Sequence, residues 1–106
     1  MKKLIVVLMI STAAAGVAAA ADAQAGKAAY DKACRSCHGT AGEPNPAIAK
    51  ALKVEMRHLG SKEVQALSDA EMKKMIKEGV GKMKPVKSLS DTDVDNVIAY
   101  LRTLKK

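Results

Sequence analysis

The chain has no phenylalanine and no tryptophan, and Tyr30 and Tyr100 are its only aromatic residues. Aromatic rings normally supply much of the buried area of a small core. At 106 residues there is length for one domain, and so short a chain is marginal as a self-sufficient core without a metal, a disulfide or a bound group. Apolar mass must therefore come from somewhere other than the side chains. Acidic residues are also in deficit, with 11 Asp and Glu against 18 Lys and Arg. No stacking aromatics interleave the lysines as single-strand nucleic-acid binding would favour, so nucleic acid is not expected as a partner. No segment alternates apolar and polar residues over strand length, whereas helical spacing recurs, and the fold class is all-α.

The first 25 residues read MKKLIVVLMISTAAAGVAAAADAQA. Lys2 and Lys3 form a positive start, an apolar run follows, and a tract of small residues ends in two A-x-A sites. Residues 1–23 are thus expected to be a signal peptide cleaved after Ala21 or Ala23, leaving 24–106 as the mature domain. The alternative is an uncleaved anchor, but Ser11, Thr12 and Gly16 weaken residues 4–21 as a span. No cysteine lies near the cut to carry a lipid. The mature protein is expected to be exported to the periplasm, monomeric and not membrane-spanning. Removing Lys2, Lys3 and Asp22 leaves 16 basic and 10 acidic residues, a charge of +6, which suits steering toward an acidic protein partner.

Along the mature segment, Gly26, Tyr30, Ala33, Cys34 and Cys37 share one helical face over residues 25–37. GTAGEPNP is a loop, after which Asn45 and Pro46 make an N-cap and first helical position. The KVEMRHLGSKEVQ stretch has no clear period and holds at most a short turn of helix. Ser68 with Glu71, and Ser90 with Asp93, fit capping boxes that open two further helices. The first ends near Gly79, and the second presents Val94, Val97, Ile98 and Leu101. Three to four short helices are expected.

Both cysteines and one of the two histidines lie in YDKACRSCHG, residues 30–39. An exported pair of thiols could form a disulfide, but so small a loop gains little stability from one. A thioredoxin-like redox pair belongs in a βαβ context, which is missing. Zinc would need Cys34, Cys37, His38 and His58 together, and adjacent Cys37 and His38 do not match the paired spacing of zinc modules. C-x-x-C-H is also the attachment pattern of a c-type haem. Two thiols on one helical turn add to the haem vinyls, His38 follows beneath the iron as an axial ligand, and the porphyrin supplies the missing apolar mass. Covalent haem accounts for both the motif and the composition.

Met56, Met72, Met75, Met83 and His58 are the remaining candidates for the second axial position. Met72 and Met75 have the helical spacing of core residues. Met83 sits in a loop bounded by Gly79, Gly81 and Pro85, suited to wrapping a flat group, and is the preferred ligand; Met56 and His58 stay open.

With these residues the sequence resembles the small class I c-type cytochromes over essentially its whole mature length. The resemblance rests on Gly26, Tyr30, Cys34, Cys37, His38 and Gly39, on GKMKP at residues 81–85, and on LSDTDVDNVIAYLRTL. It implies a cytochrome c fold around one covalent haem with iron, with N- and C-terminal helices crossing at Gly26, Tyr30, Val97 and Tyr100. It also implies Met83 as the distal ligand, although Lys84 stands between Met83 and Pro85 here. A proline carbonyl is implied as acceptor for the proximal imidazole N–H, with Pro44 and Pro46 both eligible.

His/Met ligation leaves no open iron position and favours the ferrous state. The expected function is a diffusible one-electron carrier between redox protein partners, with no catalytic residues, and with Lys82, Lys84, Lys87 and Arg35 attracting acidic docking surfaces. The alternatives are a haem-bearing electron-input subunit of a larger oxidoreductase, or a five-coordinate haem enzyme or sensor should Met83 not ligate.

Overall fold

Polar side chains set where the helices begin. In this computed structural model, which describes residues 21–106, Asp22, Asn45, Ser61, Ser68 and Ser90 each accept a hydrogen bond from an otherwise unpaired amide of a first helical turn. The resulting segments are α1 (Ala23–Ala33), α2 (Arg35–His38), α3 (Pro46–Leu52), α4 (Lys62–Gln65), α5 (Asp69–Glu78) and α6 (Asp91–Thr103). Both capping boxes form as expected from Ser68 with Glu71 and Ser90 with Asp93. α3 opens on Asn45 with Pro46 in its first turn, and α5 stops at Gly79. Of the leader, residues 1–20 lie outside the described residues.

Six helical segments replace the three or four expected, and the two extra ones are single turns. The helix read over residues 25–37 is interrupted at Cys34, whose φ of −121° and ψ of −30° depart from helical values. Its amide still donates to Tyr30 O at 2.8 Å, so the chain bends there without losing that bond. The second addition, α4, occupies the stretch that showed no clear period. No strand is present among the described residues, only a bridge between Val80 and Met83.

α1 and α6 form the most extensive helix pair, with α5 packed against α6. Their closest approach is at buried Gly26, where a Cβ would lie 1.8 Å from Asn96 O. Any side chain at position 26 would therefore force the helices apart. One turn along, Tyr30 and Tyr100 meet edge to face with ring centroids 5.1 Å apart. Tyr30, Val94 and Val97 are the most deeply buried side chains, and Met72, Ile76, Ile98 and Leu101 complete a core shared by α1, α5 and α6.

Polar contacts fasten the rest to this frame. Arg102 on α6 donates to Gln65 O at 2.9 Å, to Leu67 O at 2.7 Å and to the Asp69 carboxylate at 2.7 Å. Lys73 and Lys77 on α5 pair with Asp95 and Asp91 on α6. At the C-terminal end, the Lys106 amide donates to Gly60 O at 3.0 Å.

Gly26→Ala should destabilise the domain by about 2 kcal/mol, the scale of overpacking, and lower Tm by about 8–16 °C for a domain of this size. Thermal unfolding followed by circular dichroism checks this, and an unchanged Tm would remove the close crossing as the basis of the fold.

Candidate functional site

Helices α1, α3, α5 and α6, with the segments at residues 53–61 and 79–88, line an open cavity of about 980 Å³. That lies near the upper end of the roughly 300–1,000 Å³ typical of small-molecule and cofactor sites. Cys34, Cys37 and His38 form part of one wall, and Met83 forms part of the loop wall. Apolar side chains, among them Ile48, Val64, Leu67, Met72, Ile76 and Val97, supply much of the remaining lining. The four residues singled out in the sequence are thus brought to one predominantly apolar site.

The wall carrying the C-x-x-C-H motif is held by its own backbone. The amides of Cys37 and His38 donate to Cys34 O at 3.2 and 3.0 Å, which keeps α2 wound as one turn. Gly39 then reverses the chain, and the Glu43 carboxylate accepts from the amides of Thr40 and Ala41 and from the Thr40 hydroxyl. Bonds from its own backbone, from Thr40 and from Ala41 hold this carboxyl below the usual carboxylate range. Asn45 caps α3 and also donates from its side-chain amide to Ser36 O at 3.1 Å. α2 is therefore tied to both the preceding and the following helix.

The chemistry of the three motif residues follows from their burial. The two cysteines do not form a disulfide with each other. Burial, and secondarily the neighbouring Cys37, pushes the Cys34 thiol up to about 11, so it is not a ready thiolate of the kind that catalytic redox pairs present. Burial pushes the His38 imidazole below its ordinary value and favours its neutral form. Its Nδ1 is buried without a hydrogen-bond partner. Neither Pro44 nor Pro46, the two acceptors considered from the sequence, bonds to it among the described residues. A half-buried imidazole with an unpartnered Nδ1, beside two cysteines on an apolar wall, fits a covalently held haem.

Of the other ligand candidates, Met56, Met72 and Met75 also line the cavity, but His58 does not. His58 Nδ1 instead accepts from the Gly60 amide at 2.9 Å. Cys34, Cys37, His38 and His58 do not assemble: no cluster of three or more His, Cys, Asp or Glu suited to a metal ion occurs among the described residues. Met72 is a core residue on α5, as its spacing suggested. Met83 belongs to a tight turn in which Val80 and Met83 exchange backbone hydrogen bonds of 3.0 and 2.8 Å. Gly79 opens that turn at φ +80°, a conformation glycine adopts without strain, and a Cβ there would lie 2.6 Å from Met83 O. The Val86 amide donates to Ile76 O at 2.8 Å and fastens the far end of the loop to α5.

The cavity mouth is basic and partly apolar. Arg57, Lys82, Lys84 and Lys87 line it, with Glu55 as the opposing carboxylate. None of these four cations has an ion-pair partner among the described residues. The large exposed apolar residues Leu52 and Val80 also line the cavity. Arg35, grouped from sequence with the loop lysines, is exposed but does not line it. Arg57 and Val80 were not singled out in the sequence, while Leu52, at helical spacing with Ile48 and Ala51, reads as part of an apolar helix face and is nevertheless exposed. No periodic pattern marks position 57, and an isolated apolar residue such as Val80 carries no sign of its exposure.

Residues 21–101 match the family described as cytochrome C oxidase, cbb3-type, subunit III. Cytochrome c-554(547) of Halothiobacillus neapolitanus is 35% identical over 92 residues, covering 81% of this chain and 100% of that protein. The solved structure of the KustC0563 c-type cytochrome superposes with a TM-score of 0.65 at 30% identity, covering 76% of this chain and 98% of that one. The chain belongs to the c-type cytochromes, in the family of that description, which implies covalent haem c with iron and electron transfer.

Proposed function

We propose that the chain is an exported, diffusible one-electron carrier with a single haem, joined through thioethers to Cys34 and Cys37 and ligated axially by His38 and Met83. The observation that carries this reading is the convergence of these four side chains on one apolar cavity. When bound, the haem iron supplies reversible one-electron chemistry between its ferric and ferrous states. His38 contributes a nitrogen donor kept neutral by burial. Met83 contributes a soft thioether donor, which favours the ferrous state and raises the potential. The predominantly apolar lining would disfavour water around the haem. With His38 and Met83 both holding the iron, the protein would present no place for a substrate, and we assign it no catalytic residue.

Partners are redox proteins with acidic docking faces. Arg57, Lys82, Lys84 and Lys87 around the cavity mouth would steer such a face, and exposed Leu52 and Val80 give it apolar contact. A second reading, a haem-bearing electron-input subunit of a larger oxidoreductase, draws on the matched family's description as an oxidase subunit. The small relative matched over its full length favours a free-standing carrier. Gel filtration of native extract separates the two. No helix among the described residues is long and apolar enough to cross a membrane.

We place the export cleavage after Ala21 rather than Ala23. Asp22 accepts from the Gln24 and Ala25 amides, and its own backbone nitrogen donates to Asn96 Oδ1 at 2.8 Å. Cleavage after Ala23 would discard the cap of α1 and its tie to α6.

Met83→Ala should abolish the weak red absorption band of a ferric Met–iron bond and lower the potential; persistence of the band would exclude Met83 as ligand. A high-spin wild-type spectrum that shifts with carbon monoxide would instead favour the five-coordinate enzyme or sensor. The rate of reduction by an acidic redox partner should fall as salt rises, since the Debye length shrinks to about 10 Å near 0.1 M, and a salt-independent rate would remove the basic mouth from docking. The intact mass of the exported protein should correspond to a chain starting at Asp22, and a chain starting at Gln24 would refute the cleavage assignment.

A further inference from the structure

Tyr30 is completely buried, and its ring packs against Tyr100 and the α6 side chains of the crossing. A phenylalanine would serve that packing equally well, so the hydroxyl calls for a separate account. It lies 2.9 Å from His38 O and 2.7 Å from Gly39 O. One hydroxyl proton is thus shared between the carbonyls of two consecutive residues, at the C-terminal end of α2 where no helical amide is available to them. Burial raises the phenol far above its ordinary value, so it remains a donor throughout the working pH range.

His38 has little else to fix its orientation. Its Nδ1 has no partner among the described residues, so the usual second bond that aligns a ligating imidazole is lacking on the ring itself. Its backbone is held on both sides instead. The His38 amide donates to Cys34 O at 3.0 Å, and the His38 carbonyl accepts from Tyr30 at 2.9 Å. Tyr100 donates to Thr40 O at 3.2 Å, two residues further along, and does not reach His38 or Gly39.

We propose that the Tyr30 hydroxyl is a positioning group for the proximal ligand: by donating to the His38 and Gly39 carbonyls it fixes the main chain that carries the imidazole and biases the haem toward the ferrous state. This rests on the reading of His38 as the axial ligand. The hydrogen bond draws electron density from carbonyls flanking the ligand. Without it their negative ends are uncompensated and favour the more positive ferric iron.

The test is potentiometric titration of holoprotein. Tyr30→Phe should retain the wild-type low-spin spectrum while its ferrous-to-ferric equilibrium shifts about threefold toward ferric, about 28 mV at 59 mV per tenfold for one electron. Tyr100→Phe should leave the potential unchanged, although both variants lose a hydrogen bond and some thermal stability. An unchanged potential in Tyr30→Phe, or equal shifts in both variants, would overturn the proposal. Should Tyr30→Phe not mature, the Tyr100→Phe protein has Tyr30 as its only tyrosine. Replacing it there with a ring-fluorinated tyrosine strengthens the donor and should raise the potential, and no rise would overturn the proposal. Loss of the low-spin spectrum in His38→Ala tests the ligand assignment separately.

Discussion

The approach of α1 to α6 at Gly26 is the contact on which the other features depend. With no side chain at residue 26, the α1 backbone comes up against the Asn96 carbonyl, and the two helices are close enough for Tyr30 and Tyr100 to meet one turn further on. Those rings have two tasks at once. Their faces and edges fill the crossing where a core without phenylalanine or tryptophan would otherwise be thin. Their hydroxyls project beyond it and bond to the carbonyls of residues 38, 39 and 40. The helix crossing and the wall that bears His38 are therefore one mechanical unit. A displacement of α1 would be transmitted to the segment that follows the second cysteine.

Charge is only partly paired. Lys73 and Lys77 on α5 are engaged by Asp95 and Asp91 on α6, and Arg102 by Asp69 and the backbone of residues 65 and 67. Such exposed pairs add little stability individually. Other cations, such as Lys32 on α1 and Lys74 on α5, stand exposed away from the cavity, but Arg57, Lys82, Lys84 and Lys87 come together at its mouth, beside exposed Leu52 and Val80. That local cluster lies on the face from which the cofactor would be reached. Solvated lysines distributed evenly would give the same net charge but no preferred orientation for an encounter.

The sequence disclosed most where a local rule fixes the outcome. Ser68, Ser90, Asn45 and Pro46 place helix starts because a cap acts within one turn, and the structure begins helices there. The absence of Phe and Trp pointed to a bound apolar group, and the C-x-x-C-H spacing indicated which one. Less legible were features set by long-range packing. The break at Cys34 has no glycine or proline to announce it; Tyr30 and Tyr100, which reach residues 38–40, draw that segment into a separate turn. Residues 53–61 lack periodicity because they are fixed by scattered bonds, such as Leu59 N–H to Gly42 O and Gly60 N–H to His58 Nδ1. Arg57 belongs to that stretch, so its place at the cavity mouth left no trace in the pattern. His58 was an eligible ligand by residue type alone, and only its local bond to Gly60 shows that it is otherwise engaged.

The two sides of the cavity are secured by separate hydrogen bonds. The wall with Cys34, Cys37 and His38 hangs from Tyr30 on α1, from Tyr100 on α6, and from the Glu43 and Asn45 side chains beside α2 and α3. Met83 hangs from its own reciprocal bonds with Val80 and, through Val86, from α5. No hydrogen bond among the described residues joins the two walls directly; what they share is the apolar core between α1, α5 and α6. Substitutions confined to the loop of residues 79–86 can thus alter the Met83 side without disturbing the backbone of His38. Loss of the Tyr30 hydroxyl, by contrast, removes hydrogen bonds on the His38 side alone. On the proposed ligation by His38 and Met83, the fold would thus offer two separate means of tuning the haem, one through the identity and reach of the donor in the loop and one through the carbonyls beside His38.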